Sequence, residues 1–379
     1  MKTCDVLIAG GGIIGGAIAF ELAGRGSCVI VCDSQTPGRE ASWAAAGMLS
    51  PPPDSMDAIP LVPLARASLA RYPEFIAAVE QASGLPAHYR PVGAIEVFFS
   101  GDAQRELSTL IALHRGLGLH TEPLPLDEAF ELEPALNREA AACAIFTFEA
   151  CVDNRAMTAA VLAAAAARGV EIRANAPLEE LLCAANRCNG AVVAGERIEA
   201  RHTVVAAGCY SSRIVGAARY APVRPARGQM VALRSERVEL GHVVRSAKAY
   251  IVPRGGGKFV AGSTIENVGF EKRVTPAGIR KILDAALEIA PALADAEIVE
   301  TWCGLRPDTP DHLPILGPTD TEGLWIATGH YRNGILLTPI TAKLLADSIS
   351  GTPTALDIQA FSPMRFTHAR NDRASRGDA

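Results

Sequence analysis

The apolar run Val6 to Ala9 leads directly into Gly10-Gly11-Gly12-Ile13-Ile14-Gly15, and no other stretch limits the fold of this chain so tightly. Four consecutive apolar residues before a glycine turn predict a buried parallel strand. The spacing G-x-G-x-x-G then assigns a task to each glycine: Gly10 makes the tight turn, Gly12 admits a pyrophosphate close to the backbone, and Gly15 lets the following helix sit on the strand. The start of that helix offers unpaired N–H groups and a partial positive charge to phosphate. With 34 glycines in the chain, the spacing alone would be a weak signal. Its surroundings strengthen it, because Ala17 to Gly24 is helix-like and a second apolar run, Cys28 to Cys32, ends in Asp33. Asp33 is placed to accept hydrogen bonds from a ribose, and the stretch is a dinucleotide site.

The 379 residues exceed one compact core and suit two domains, and 49% apolar content can fill them. Lys and Arg total 36 against 41 Asp and Glu, a net charge of −5, so nothing in the charge balance favours nucleic acid as a partner. Nine cysteines form no C-x-x-C pair and are expected to be reduced thiols. No matching ligands stand near Cys183 and Cys188, so no metal site is expected. The first apolar stretch is too short for a signal peptide, and the Ala-rich run Met157 to Ala167 is too short to cross a bilayer. A cytoplasmic homo-oligomer without a transmembrane segment is expected.

Further along, small residues fill Ala41-Ser42-Trp43-Ala44-Ala45-Ala46-Gly47-Met48, a composition that lets backbone lie against a flat ligand, and the triple proline Pro51 to Pro53 ends any helix there. Helical spacing covers 60–82, 104–116, 155–168 and 276–290. Arg201 to Gly208 and Leu324 to Gly329 are expected to return to the nucleotide sheet, the first ending at Ala207 and Gly208 on the ligand side. Gly255-Gly256-Gly257 joins two strands as a hairpin. A helix is expected over 334–350, where Pro339 is tolerable only in the first turn. The nucleotide domain is therefore expected from 1–88, 143–221 and 300–365. The strand-rich inserts 89–142 and 222–299 would form a second domain, and 366–379 a flexible tail.

Taken together, GGGIIGGAIA, ASWAAAGMLSP, the AAG ending at Gly208, RGQM, WCGLRPDTPDHLPILG and GHYRNGILLTP resemble the FAD-dependent amine oxidases of the D-amino-acid oxidase superfamily. Within it the similarity is to the glycine-oxidase branch, which feeds thiazole synthesis in the thiamine pathway, and it covers nearly the whole chain. The implied fold is α/β: a Rossmann-like FAD-binding domain with a second, mainly antiparallel β-sheet substrate domain. The resemblance implies FAD contacts from Ile13, Ile14, Asp33, Ser34, Ala41, Ser42, Ala46, Gly47 and Met48, and from the backbone of Leu178. It also implies that His330, Tyr331, Arg332, Asn333, Gly334, Ile335 and Leu336 wrap the isoalloxazine, where backbone N–H groups would meet charge that accumulates in the reduced ring.

Arg306 is implied to hold a substrate carboxylate by a two-pronged bond, with Tyr250 and Arg332 assisting. Ile265, where relatives carry methionine, and Met48 are implied to wall a small pocket. Lys248 stands where a histidine is expected, which leaves its role open. Relatives that attach flavin covalently use a cysteine at the Gly304 position, with Cys303 one step away, so non-covalent FAD is expected. The implied reaction is oxidation of glycine, sarcosine or a small D-amino acid by hydride transfer, with molecular oxygen reduced to hydrogen peroxide. No side chain stands out as an essential base. The alternatives left open are a dehydrogenase of the same fold using a quinone, or a non-catalytic or nucleic-acid-modifying flavoprotein.

Overall fold

The structure is a computed structural model that describes residues 2–51, 56–354 and 356–367. Pro52 and Pro53 of the proline run and residues 368–379 of the expected tail lie outside the described residues. The apolar run at the start forms the strand Lys2–Ala9, whose last four residues are buried. It pairs in parallel with Val29–Cys32 on one side and Glu196–Val205 on the other. Glu171–Arg173 extends the sheet beyond Val29–Cys32, Leu324–Thr328 lies parallel to Glu196–Val205, and Ile315–Pro318 closes that edge antiparallel. A hairpin, Leu178–Ala184 and Arg187–Val193, branches off Glu196–Val205.

Apart from Glu21 and its C-terminal end, the helix Ile13–Gly24 is apolar and largely buried. One cluster of buried side chains joins it to the helices Val62–Ser83, Asn154–Ala167 and Thr338–Ile349. The helix after Gly334 thus begins four residues later than expected, at Thr338, with Pro339 in its first turn where no intrahelical N–H is needed.

A second sheet runs in the order Glu297–Asp308, Arg224–Arg234, Lys258–Gly262, Tyr250–Gly255, Val243–Arg245, Ala94–Phe98, Ala142–Phe146 and Glu122–Leu124. Neighbours are antiparallel except for Val243–Arg245 against Ala94–Phe98. The helix Pro276–Ile289, capped by the Thr275 hydroxyl, covers one face with Ile282, Ala285, Ala286 and Ile289. Residues 143–146 and 300–308 were expected with the nucleotide sheet, but strand pairing places them in the second. Ala142–Phe146 hydrogen-bonds to Ala94–Phe98, and Glu297–Asp308 follows Arg224–Arg234 along its whole length. The expected glycine hairpin is present between Tyr250–Gly255 and Lys258–Gly262, all three glycines at positive φ.

Candidate active site

At the end of Lys2–Ala9 the chain turns at Gly10 with φ +108°, and a Cβ there would lie 2.4 Å from the Ala206 carbonyl oxygen. Only glycine fits this turn between two adjacent parallel strands. A Cβ on Gly15 would lie 1.9 Å from the carbonyl oxygen of Gly10, so Gly15 seats the helix against the turn and is not itself on the wall of the cavity described below. The Ile13 N–H donates to Ser42 Oγ at 3.0 Å. Asp33 accepts from the N–H groups of Gly11 and Gln35 at 2.8 and 2.9 Å, pinning the glycine turn as well as facing the cavity.

Beyond the C-terminal ends of these strands lies a cavity of about 430 Å³. Asp33, Ser34 and Leu178 line it, as do Gly10, Gly12, Ile13 and Ile14. Ala207 and Gly208, from the end of Glu196–Val205, share this wall with Ala41 and Ser42. So do Ala46, Gly47 and Met48, and the loop residues His330 to Ile335. Leu336, expected with that loop at the ring, instead belongs to the core, 2% exposed, and its carbonyl accepts from Ser68 Oγ at 2.6 Å. It points inward because the loop must anchor itself before the helix begins at Thr338. The Tyr331 N–H, at a residue with φ +47°, donates to the Pro307 carbonyl at 3.0 Å and ties the loop to the end of Glu297–Asp308.

The second sheet supplies the charged and phenolic groups. Arg306 and Tyr250 both face the cavity. The Arg306 guanidinium donates to Ser263 Oγ at 2.8 Å and to the Thr264 carbonyl at 3.1 Å, and makes no ion pair among the described residues. A Cβ on Gly228 would lie 2.1 Å from its Nη1, so the glycine of RGQM is what lets this side chain cross the neighbouring strand. Among the described residues, the Tyr250 hydroxyl finds one hydrogen-bonding partner, the Met230 sulfur at 3.6 Å. Arg332 lines the cavity from an exposed position. His330 is buried, with Nε2 3.1 Å from Thr341 Oγ1, and burial pulls its pKa down to about 3, so its imidazole is neutral at physiological pH.

One further expectation needs correction. Ile265 is 54% exposed and does not line the cavity. The chain leaves Lys258–Gly262 through Ser263 and Thr264, and Glu266 then pairs with buried Arg227, which turns Ile265 outward. Lys248 is a surface residue paired with Glu288 at 2.7 Å and takes no part in the wall. Residues that sequence reading did not single out include Tyr210 and Arg213 on the wall and Arg254 behind it. Arg254 donates to the carbonyls of Ala46 and Val152 at 2.8 and 3.0 Å and to Asn154 Oδ1 at 2.9 Å.

The cavity fits a bulky dinucleotide with a flat ring. Its walls lack a Cβ where the chain comes closest, at Gly10, Gly12, Gly47 and Gly304, and a Cβ on Gly304 would lie 2.3 Å from that of Ala44. Cys303 is not on the wall. No cluster of three or more metal-ligating side chains occurs among the described residues, and no helix is long and apolar enough to cross a membrane. A glycine turn at the head of a parallel sheet, facing a guanidinium from a second sheet that makes no ion pair among the described residues, defines a dinucleotide-dependent enzyme of two sheets. The chain belongs to the FAD-dependent oxidoreductase family, whose model matches residues 5–348, and FAD is its cofactor.

It is 35% identical to a glycine oxidase of Geobacillus kaustophilus over 95% of this chain and 97% of that one. The crystal structure of glycine oxidase from the same organism superposes with a TM-score of 0.91 at 33% identity, covering 96% of this chain and 99% of the other. A bifunctional protein ThiO/ThiG of Trichormus variabilis is 36% identical over 97% of this chain, which spans 58% of that relative's length.

Proposed function

We propose that this protein oxidises a small amino acid, with glycine, sarcosine and small D-amino acids as the substrate class, and that molecular oxygen is the final acceptor. The observation that carries the reading is Arg306, a guanidinium facing the cavity with two neutral acceptors and no carboxylate partner among the described residues. Such a group is matched by a substrate carboxylate, which it binds in two-pronged fashion, more strongly in a dry site than in water. The glycine-oxidase relative, aligned end to end with this chain, supports the same class.

FAD, when bound, accepts two electrons and passes them to oxygen, giving hydrogen peroxide. The protein's own contribution is orientation. Arg306 fixes the carboxylate, Tyr250 offers its hydroxyl beside it, and Arg332 adds positive charge at the rim. Neutral His330 places no second cation under the loop. Gly304 leaves no side chain for a covalent link to the flavin and Cys303 is off the wall, which supports non-covalent FAD. In this reading the first sheet is the FAD-binding domain and the second the substrate domain. We extend the proposal to a cytoplasmic homo-oligomer that supplies glycine imine for thiamine thiazole synthesis; Ile298 and Val299, half exposed on an edge strand, offer apolar surface for self-association.

The test is peroxide formation and oxygen consumption by purified holoenzyme with glycine, sarcosine and D-alanine. One peroxide per oxygen is expected with at least one of them. Turnover confined to a bulky amine, or electron transfer only to an added quinone, would defeat the proposal.

A further inference from the structure

Met48–Leu49 is a short extended segment, so residues two apart share a face. Leu49 is fully buried in the core, while Met48 and Ser50, on either side of it, both line the cavity. Behind Ser50 lies a polar cluster with no part in the site as described so far. Arg245, from Val243–Arg245, bonds Glu149 at 2.6 and 3.1 Å and Glu96 at 2.9 Å. Glu149 is 2% exposed, and burial raises its pKa against the lowering effect of Arg245. The Ser50 hydroxyl donates to Glu149, and Arg245 Nη1 approaches Ser50 Oγ at 3.3 Å.

This arrangement fixes the polarity of Ser50. Both oxygens of Glu149 accept from Arg245, so the Ser50 hydroxyl is the donor to it and its proton is turned toward the core. Arg245 occupies one of the two lone pairs on Oγ, and the other is left for the cavity. The cluster holds two carboxylates against one guanidinium, so its surplus charge behind Ser50 is negative. His114, a further titratable group beside Arg245 and Glu96, has its pKa lowered by burial and then by Arg245, and adds no positive charge at neutral pH. Arg245 stands directly opposite Tyr250 across the strand pair, which places Ser50 on the Tyr250 side of the cavity. The cavity therefore has two poles, a cationic one at Arg306 and a hydrogen-bond acceptor backed by negative charge at Ser50.

We propose that Ser50 Oγ binds the substrate's amine by accepting its N–H, with Glu149, Arg245 and Glu96 as positioning residues that hold the hydroxyl in that polarity. The inference rests on the amino-acid reading of the site and gives each end of the substrate a named partner. The test compares glycine as substrate with acetate, a carboxylate without an amine, as competitive inhibitor of the holoenzyme. Ser50→Ala is expected to raise KM for glycine about five- to tenfold, the loss of one hydrogen bond, while leaving acetate inhibition within about twofold. Ser50→Thr, which keeps the hydroxyl, is expected to restore glycine KM. Glu149→Gln, which frees the Ser50 hydroxyl to rotate, should raise glycine KM but not weaken acetate. An unchanged glycine KM in Ser50→Ala, or equal weakening of glycine and acetate, would overturn the assignment of Ser50. Failure of acetate to compete in the unmutated enzyme would instead overturn the carboxylate reading at Arg306, and the inference with it.

Discussion

His330 and Arg306 stand on the same cavity and carry opposite electrostatic instructions. His330 is 3% exposed and its pKa is held down to about 3 by desolvation, against the usual 6.5. In the unfolded chain the imidazole takes up a proton near its ordinary value, while in the folded protein it refuses one until about pH 3. The unfolded state therefore binds more protons throughout that interval, and stability is full above 6.5 and lost as pH falls. The expected slope from this group is about 1.4 kcal/mol per pH unit between roughly pH 6 and pH 3. Urea unfolding from pH 7 to pH 4 checks it, and the difference from His330→Gln separates the imidazole from the carboxylates that titrate alongside. Equal slopes in the two proteins would mean that His330 is not held neutral. Arg306 by contrast presents a planar fork, and Lys cannot reproduce a two-pronged bond. Arg306→Lys is expected to raise KM for the amino acid about 10- to 100-fold, with flavin content unchanged, as measured by steady-state kinetics and the visible spectrum.

Among the elements of the cavity wall, the small-residue segment from Ala41 to Met48 has its shape imposed from elsewhere in the chain. Gly47 has φ +72°, and a Cβ there would lie 2.0 Å from the Val152 carbonyl oxygen. Asn154 Nδ2 donates to the carbonyls of Ser42 and Trp43 at 2.8 and 3.0 Å, and Asp153 caps the helix from which Asn154 projects. Arg254 reaches across from the second sheet to the same segment. Removing its three donors should loosen the segment without touching the glycine turn. Arg254→Met is expected to weaken FAD binding about 10- to 100-fold, consistent with hydrogen bonds from a charged donor, as measured by titrating apoprotein with FAD. Retention of wild-type affinity would show that the segment holds its shape alone. The glycine turn and Asp33 were legible in the sequence because their requirements are local, set by one turn and the strand after it. The clamp was not, because Arg254 lies 208 residues from Ala46 and 100 from Asn154. Glu149 carried no mark in the sequence either, since only the folded packing buries it. At Ile265 similarity to relatives suggested a role, but side-chain direction follows from the Glu266–Arg227 pair, which alignment does not show.

For the molecule as a whole, the open question in the sequence was which strand joins which sheet. Apolar runs such as Val29–Cys32 announce a buried parallel strand, but Ala142–Phe146 is as apolar as those and sits in the other sheet. Sheet membership is fixed by a partner far away in the chain, and a short strand carries no label for it. What couples the two sheets is equally non-local. The Arg155 guanidinium, projecting from Asn154–Ala167, lies 3.7 Å from the ring centre of Trp43 and 4.6 Å from that of Trp302. Trp302, on the second sheet, donates its Nε1–H to the Ala44 carbonyl at 3.1 Å. Arg155 also pairs with Glu300 at 2.8 Å, but both side chains are about one-third exposed, so the ion pair contributes little. The larger effect is the cation held over two indole faces, about 0.5–2 kcal/mol for such an arrangement. Arg155→Ala is therefore expected to lower the thermal midpoint by about 1–3 °C, whereas Glu300→Gln, which leaves the stacking intact, should move it by less. Because the segment around Trp43 also lines the cavity, saturating FAD is expected to raise the midpoint of Arg155→Ala, recovering part of the loss by mass action. Melting curves of both variants with and without FAD decide the matter, and equal shifts for Arg155→Ala and Glu300→Gln would assign the coupling to charge rather than to the stacked rings.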